Sequence, residues 1–267
     1  MVIHVVQPGD SLYRIAQLHS VPLPFLIQQN ELHEPYRLTP GQTIVVPQPE
    51  KTYIVRRGDT LGSIAAQNST TVVQLWQNNP QLGGTDRIQP GQMLVLSYGN
   101  KLGRFAVNGY AYPSINTNSL NCVLPFLTFL SPFSYKLTPT AELVSPDDSD
   151  LIFRAQRSAV MPIMVVTNIF DKGFSTEVLS VILASEELQE RLIGNILSEL
   201  TGKNYYGVNM DIEYIAPDDR DRYNAFLERL AERLHNEGFI VMSALAPKIS
   251  ADQLGVLYEA HDYAEQG

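Results

Sequence analysis

The chain has 267 residues, a formal net charge of −9, one cysteine and 44% hydrophobic residues. That length admits more than one domain, and the single Cys122 excludes an internal disulfide and sits in no metal-ligand pattern. No apolar run reaches the length of a membrane span. The N-terminus lacks the charged and apolar regions of a signal peptide, and no basic patch interleaved with aromatics offers a footing for nucleic acid. The charge is unevenly spread: residues 1–100 carry six Lys/Arg against six Asp/Glu, and residues 101–267 carry thirteen against twenty-two. A neutral front and an acidic back predict two kinds of module.

The front hundred residues repeat themselves. Gly9-Asp10-Ser11-Leu12 recurs as Gly58-Asp59-Thr60-Leu61, Ile15-Ala16 as Ile64-Ala65 and Asn30 as Asn79, all at an offset of 49. Pro40-Gly41-Gln42 recurs as Pro90-Gly91-Gln92 at an offset of 50, so one residue is inserted between the anchors. Each copy reads strand, helix, helix, strand. A β-run ends at a Gly-Asp turn, and Ser11 or Thr60 caps the next helix. A second helix covers 23–29 or 72–77, and a Pro-Gly turn delivers a closing strand at 43–46 or 93–96. Trp76 falls inside a helix in an apolar rhythm, which favours core packing over sugar stacking. Residues 47–51 read as a linker, and 98–101 lead into the back half.

This βααβ pattern resembles the LysM module, which binds N-acetylglucosamine-containing glycans such as peptidoglycan and chitin. The expected boundaries are 1–48 and 51–98. The resemblance implies glycan contacts, largely from backbone groups, at Gly9, Asp10, Ser11, Leu12 and Asn30 of the first copy. In the second they fall at Gly58, Asp59, Thr60, Leu61 and Asn79. Turn chemistry alone accounts for each Gly-Asp pair equally well.

From residue 102 the rhythm becomes strand-then-helix. Strands are expected at 104–112, 126–133, 161–169, 208–213 and 239–245. Helices are expected at 151–158, 174–184, 185–200, 218–237 and 252–265. Ser185 is a natural cap, with Glu186 and Glu187 in the first turn. Leu188, Leu192, Ile196 and Leu200 form one stripe, and Tyr223, Phe226, Leu227, Leu230 and Leu234 another. Alternating strands and helices imply a parallel sheet. No glycine-rich phosphate loop follows the first strand. The expected fold is α+β LysM modules followed by an α/β (β/α)8 TIM barrel over 102–267, which stops after the fifth βα unit. Such a piece would leave a sheet edge open to self-association.

The fourth strand, Tyr206-Gly207-Val208-Asn209-Met210-Asp211-Ile212-Glu213, carries the chemistry. Side chains alternate along a strand, so Asn209, Asp211 and Glu213 share one face and Val208, Met210 and Ile212 the other. Paired carboxylates at the C-terminal end of a barrel strand are placed for acid–base work. The stretch resembles the DxE end of the DxxDxDxE signature of glycoside hydrolase family 18, the chitinase-like hydrolases. Asn209 stands where that signature has its second Asp, and Tyr206 where it has its first. The resemblance implies substrate-assisted retaining catalysis, with Glu213 as acid, Asp211 steering the sugar's acetamido group and Asn209 behind it. In place of the family's S-x-G-G run after the third strand stands Val166-Thr167-Asn168, which puts Asn168 in reach of substrate. Tyr110, Phe133 and Pro247, at strand ends, are candidates to line the cleft.

Two LysM-like modules ahead of such a barrel resemble the spore germination and cortex-lytic glycosidases of spore-forming bacilli. The resemblance implies an N-acetylglucosaminidase on peptidoglycan of the spore coat or cortex region, deposited without a signal peptide, a feature that fits a cytoplasmic protein too. Two other readings stay open: a peptidoglycan- or chitin-binding protein without catalysis, and a chitinase. No cofactor, metal, membrane or nucleic acid is implied.

Overall fold

The computed structural model describes residues 2–34, 36–99, 103, 105–171, 173–250, 253–255 and 257–266. Residue contacts divide the chain into two units, Met1–Phe105 with Thr117–Phe126, and Ala106–Asn116 with Leu127–Gly267. The expected boundary at 102, the lead-in residues 100 and 101, and the expected element starts at 104 and 252 lie outside the described residues.

In the first unit each repeat forms its own βααβ fold. The first copy comprises β1 (Val2–Val5), α1 (Leu12–Leu18), α2 (Leu23–Gln29) and β2 (Thr43–Val46). The second comprises β3 (Pro49–Ile54), α3 (Leu61–Gln67), α4 (Val72–Asn78) and β4 (Met93–Tyr98). β1 pairs antiparallel with β2, and β3 with β4. The expected linker at 47–51 is shorter than the sequence suggests, because β3 already begins at Pro49 and pairs there with Tyr98.

Turn and cap residues explain the register. Gly9 and Gly58 take φ of 90° and 93°, a region open to glycine at no steric cost. The next residue's carboxylate accepts the backbone N–H three residues back, Asp10 from Gln7 at 2.8 Å and Asp59 from Arg56 at 2.7 Å. Ser11 caps α1, and Thr60 and Ser63 form a reciprocal capping box on α3. Each copy then closes its own core. Leu12, Ile15, Ala16, Leu26, Ile44 and Val46 are buried in the first, and Leu61, Ile64, Ala65, Leu75, Leu94 and Leu96 in the second. Trp76 packs half-buried against the second core and donates its indole N–H to Thr85 O at 3.0 Å, the packing role its position predicts. α5 (Thr117–Val123), not foreseen in its polar sequence, groups with this unit.

The second unit is built on a parallel sheet. Its elements are β5 (Asn108–Ala111), β6 (Phe129–Pro132), β7 (Tyr135–Leu137), β8 (Leu143–Val144), α6 (Ser149–Arg157) and β9 (Met161–Thr167). Then follow β10 (Ile169–Phe170), β11 (Gly173–Phe174), α7 (Thr176–Leu183), α8 (Glu186–Lys203), β12 (Gly207–Asp211), α9 (Arg220–Asn236), β13 (Ile240–Ser243) and α10 (Tyr263–Gln266). The strand order is β5-β6-β9-β12-β13, and every neighbour along it is parallel. These five strands cross the sheet in chain order, as in a β/α barrel and without the reversal of a doubly wound sheet, while β7 pairs parallel with β9 off this path and β10 and β11 pair separately.

Helices cover one face of this sheet. Leu192, Ile196 and Leu200 of α8, and Tyr223, Phe226, Leu230 and Leu234 of α9, pack with Val208 and Met210 of β12. Fully burying each such Leu or Ile contributes about 2 kcal/mol. Ser185 caps α8 through the Leu188 N–H, and Gly238 follows α9 with a φ of 85°. Gly207 leaves room where the chains approach closely: a Cβ there would stand 2.2 Å from Ile240 O. Two expectations need correction. A hairpin, β7–β8, intervenes before α6, its strands too short to show a periodicity. The helix expected over 252–265 is irregular across residues 253–255 and 257–262, around Gly255 at a φ of 117°, and among the described residues there only α10 is helical.

Candidate functional site

β12 ends at Asp211, and its alternation sorts the side chains as the sequence predicts. Val208, Met210 and Ile212 are buried in the helix-covered core, while Asn209, Asp211 and Glu213 are directed away from it. Asn209 is 4% exposed and donates from Nδ2 to the Tyr110 hydroxyl at 2.5 Å. That bond ties the end of β5 to β12. Asp211 and Glu213 are half-buried. Asp211, Tyr110, Ala111, Tyr112 and Phe133 line a cavity of about 280 Å³. Phe133 stands edge-on to both tyrosines, with ring centroids 6.0 Å from Tyr110 and 5.4 Å from Tyr112. The peptide bond between Phe133 and Ser134 is cis.

Burial sets the electrostatics. It raises Asp211 to about 6, with the charge of Glu213 adding to the rise. Burial also raises Glu213 above the ordinary carboxylate range. The Tyr110 phenol goes up through burial and the neighbouring Asp211, partly offset by the Asn209 bond. Both carboxyls are thus easier to protonate than free ones, which suits a pair placed for proton transfer.

The remaining residues expected at this site fall elsewhere. Asn168 is fully buried and does not face the cavity. Its Nδ2 donates to Glu213 O at 2.7 Å and Ser175 O at 3.1 Å, and its Oδ1 accepts the Glu213 N–H at 3.0 Å. With every polar atom of its amide occupied by backbone, Asn168 has nothing left for a substrate, and the expectation that it binds one is corrected. Pro247 is exposed in the irregular segment after β13 and does not line the cavity. Tyr112 also lines the cavity, as its spacing of two from Tyr110 on an extended chain allows.

In the repeats, the side chains expected to meet glycan are spent on the fold. Leu12 and Leu61 are core residues, and Ser11 and Thr60 are helix caps. Asn79 is fully buried: Nδ2 donates to Leu75 O and Val95 O, and Oδ1 accepts the Val95 N–H, all at 2.8 Å. Asn30 repeats the arrangement with Leu26 and Val45 at 2.7–2.8 Å. Asp10 is held by Gln7 and His4, which keep its carboxyl below the usual range, and Asp59 takes the Tyr53 hydroxyl at 2.9 Å. His4 and Tyr53 occupy equivalent places in the repeat.

The LysM domain family matches residues 4–47 and 53–97, the two βααβ folds just described. The chain carries two LysM domains. It is similar to the cortical fragment-lytic enzyme of Bacillus subtilis (strain 168), 36% identical over 271 residues, covering 80% of this chain and 62% of that protein. The crystal structure of the spore cortex-lytic enzyme SleL of Bacillus megaterium QM B1551 superposes with a TM-score of 0.76. It is 31% identical and covers 99% of this chain and 63% of its own. A chitinase from Chromobacterium violaceum ATCC 12472 shares the fold, with a TM-score of 0.55 at 19% identity, covering 61% of this chain and 53% of its own. The chain thus spans about 62% of the length of these cortex-lytic relatives. Behind the LysM pair stands a domain of chitinase-like, SleL-like fold.

Proposed function

We propose that the protein hydrolyses glycosidic bonds of N-acetylglucosamine in spore cortex peptidoglycan, held on the polymer by its two LysM domains. The observation that carries this reading is the Asp211–Glu213 pair at the end of β12, raised together beside an aromatic-lined cavity. The similarity to cortex-lytic enzymes points to the glycan, and chitin, which offers the same acetamido group, is the competing substrate.

In this mechanism the protonated carboxyl of Glu213 gives its proton to the leaving glycosidic oxygen as the C1–O bond breaks. The acetamido oxygen of the same sugar bonds to C1, forming an oxazolinium ion, so no enzyme carboxylate is the nucleophile. Asp211, pushed up to about 6, loses its proton as pH rises past that value, and once ionised it accepts a hydrogen bond from the acetamido N–H and stabilises the positive charge. Glu213, now a carboxylate, takes a proton from water as its oxygen attacks C1 and the ring reopens. Asn209 cannot exchange a proton with Asp211, and its bond to Tyr110 instead fixes the wall behind it. The Tyr112 and Phe133 rings offer apolar faces to the sugar. LysM binding raises the local concentration of the site on an insoluble polymer.

The test compares product release from purified cortex peptidoglycan and from chitin by the protein and its Glu213→Gln variant. Expected is release of N-acetylglucosamine reducing ends from cortex, lost in the variant by about 10³-fold, with glycan pull-down unchanged. Equal release by both proteins would refute Glu213 as the acid, and none by either with pull-down intact would leave a glycan-binding protein. Preference for chitin would make it a chitinase.

A further inference from the structure

Glu213 lies two residues beyond the last residue of β12, where no strand pairing holds its backbone. The β9–β12 ladder stops at Thr167 opposite Asp211. One residue later in β9's direction, the Asn168 side chain takes over. Its amide offers one donor and one acceptor side by side, like a peptide group, and closes on both the N–H and the C=O of Glu213, at 3.0 and 2.7 Å. The same side chain reaches Ser175 O, and the Asn168 carbonyl accepts the Ser175 N–H at 2.8 Å. The next residue, Thr176, donates its hydroxyl to Tyr214 O at 2.6 Å. Tyr214 itself stands at a φ of 56°, a conformation that a side chain other than glycine adopts only under constraint. The turn that follows Glu213 is therefore strained and is held from outside by the start of α7.

We propose that Asn168 is a positioning residue for acid catalysis: its amide fixes the backbone of Glu213 and so sets the carboxyl at the glycosidic oxygen. This rests on the reading of Glu213 as the acid. Asn168 touches neither cavity nor substrate, so its effect passes through Glu213. A carboxyl displaced by about 1 Å loses on the order of 10² in rate when the leaving group needs its proton. A leaving group that departs unprotonated does not register the displacement.

The experiment uses the full chain and its Asn168→Asp variant, which keeps size and the acceptor for Glu213 N–H but loses the donor for Glu213 C=O. Two N-acetylglucosamine oligosaccharides are compared in the steady state, one with a sugar leaving group and one with dinitrophenol. Expected is a fall of about 100-fold in kcat on the sugar, with KM unchanged and dinitrophenol release within about 3-fold of the parent. Equal loss on both substrates, or loss on neither, overturns the proposal. Thr176→Val, a milder change that frees only Tyr214 O, is expected to show the same selectivity at about 10-fold and replaces the first variant if that one does not fold. A readout independent of turnover is the exchange rate of the Glu213 amide, expected to rise about 10-fold or more in Asn168→Ala while the amides of β12 keep theirs. If the parent cleaves neither substrate, the glycosidase reading fails by itself. The hold of Asn168 on Glu213 then stands or falls on that exchange rate, and an unchanged rate overturns it.

Discussion

Asn79→Ala separates a structural amide from a sugar ligand. The substitution removes three hydrogen bonds to backbone at 2.8 Å, two donated by Nδ2 and one accepted by Oδ1, and a longer fourth that Oδ1 accepts from Gln81 Nε2 at 3.2 Å. At about 1 kcal/mol net for each, the three backbone bonds are worth about 3 kcal/mol. Alanine also strands the N–H and C=O of Val95, a residue with no solvent exposure, and each orphaned group adds about 1 kcal/mol or more. The expected loss is therefore about 3–5 kcal/mol. A module of about 45 residues has roughly 2–7 kcal/mol of stability in total, so the second LysM domain should lie near or past its unfolding point. The assay is hydrogen exchange resolved by segment. Protection over 53–97 should collapse, while 4–47 keeps its own, and glycan binding by the second domain is lost only as a result of its unfolding. Retained protection at Leu94 and Val95 together with weakened glycan binding would refute this reasoning and return Asn79 to the binding surface.

Two further outcomes follow from the second unit. Gly207→Ala would drive a Cβ to 2.2 Å from Ile240 O, splitting β12 from β13. An overpacking of this kind costs about 3 kcal/mol, seen as a lowered unfolding midpoint in urea, and an unchanged midpoint would show that the strands yield without cost. Asp211 is raised from 3.8 to about 6, so between about pH 4 and 6 the folded protein binds more protons than the unfolded chain. Stability contributed by this group therefore falls as pH rises through that window. Asp211→Asn should leave stability unchanged near pH 4 and raise it by about 1–2 kcal/mol at pH 7, after allowance for partial exposure. A gap between variant and parent that does not widen with pH would refute the assignment.

The sequence discloses features that are local and repeated. Gly9-Asp10-Ser11 and its second copy are legible because a positive φ, a turn carboxylate and a helix cap each demand a particular residue type. The stripes of α8 and α9, and the alternation of β12, are legible because burial on one face imposes a period. What stays hidden is the partner of a polar residue. Asn30, Asn79 and Asn168 look like candidate ligands in a sequence, yet each closes on backbone brought near by the fold. For Asn168 that backbone lies 45 residues away. An amide that binds a peptide group and one that binds an acetamido group are the same residue, and only burial tells them apart. The short hairpin β7–β8 and the irregular stretch before α10 escape for another reason: neither is long enough, or regular enough, to impose a period.

Each LysM copy seals its own core and locks it with its own asparagine. Among the described residues, no side chain of one core belongs to the other. In evolutionary terms each copy is a transferable part. A gene can duplicate it, drop it or join it to another domain without a compensating change in packing. Damage is confined in the same way. A substitution that melts one copy leaves its neighbour's core intact, and the pair can differ, as at His4 and Tyr53, while both remain folded.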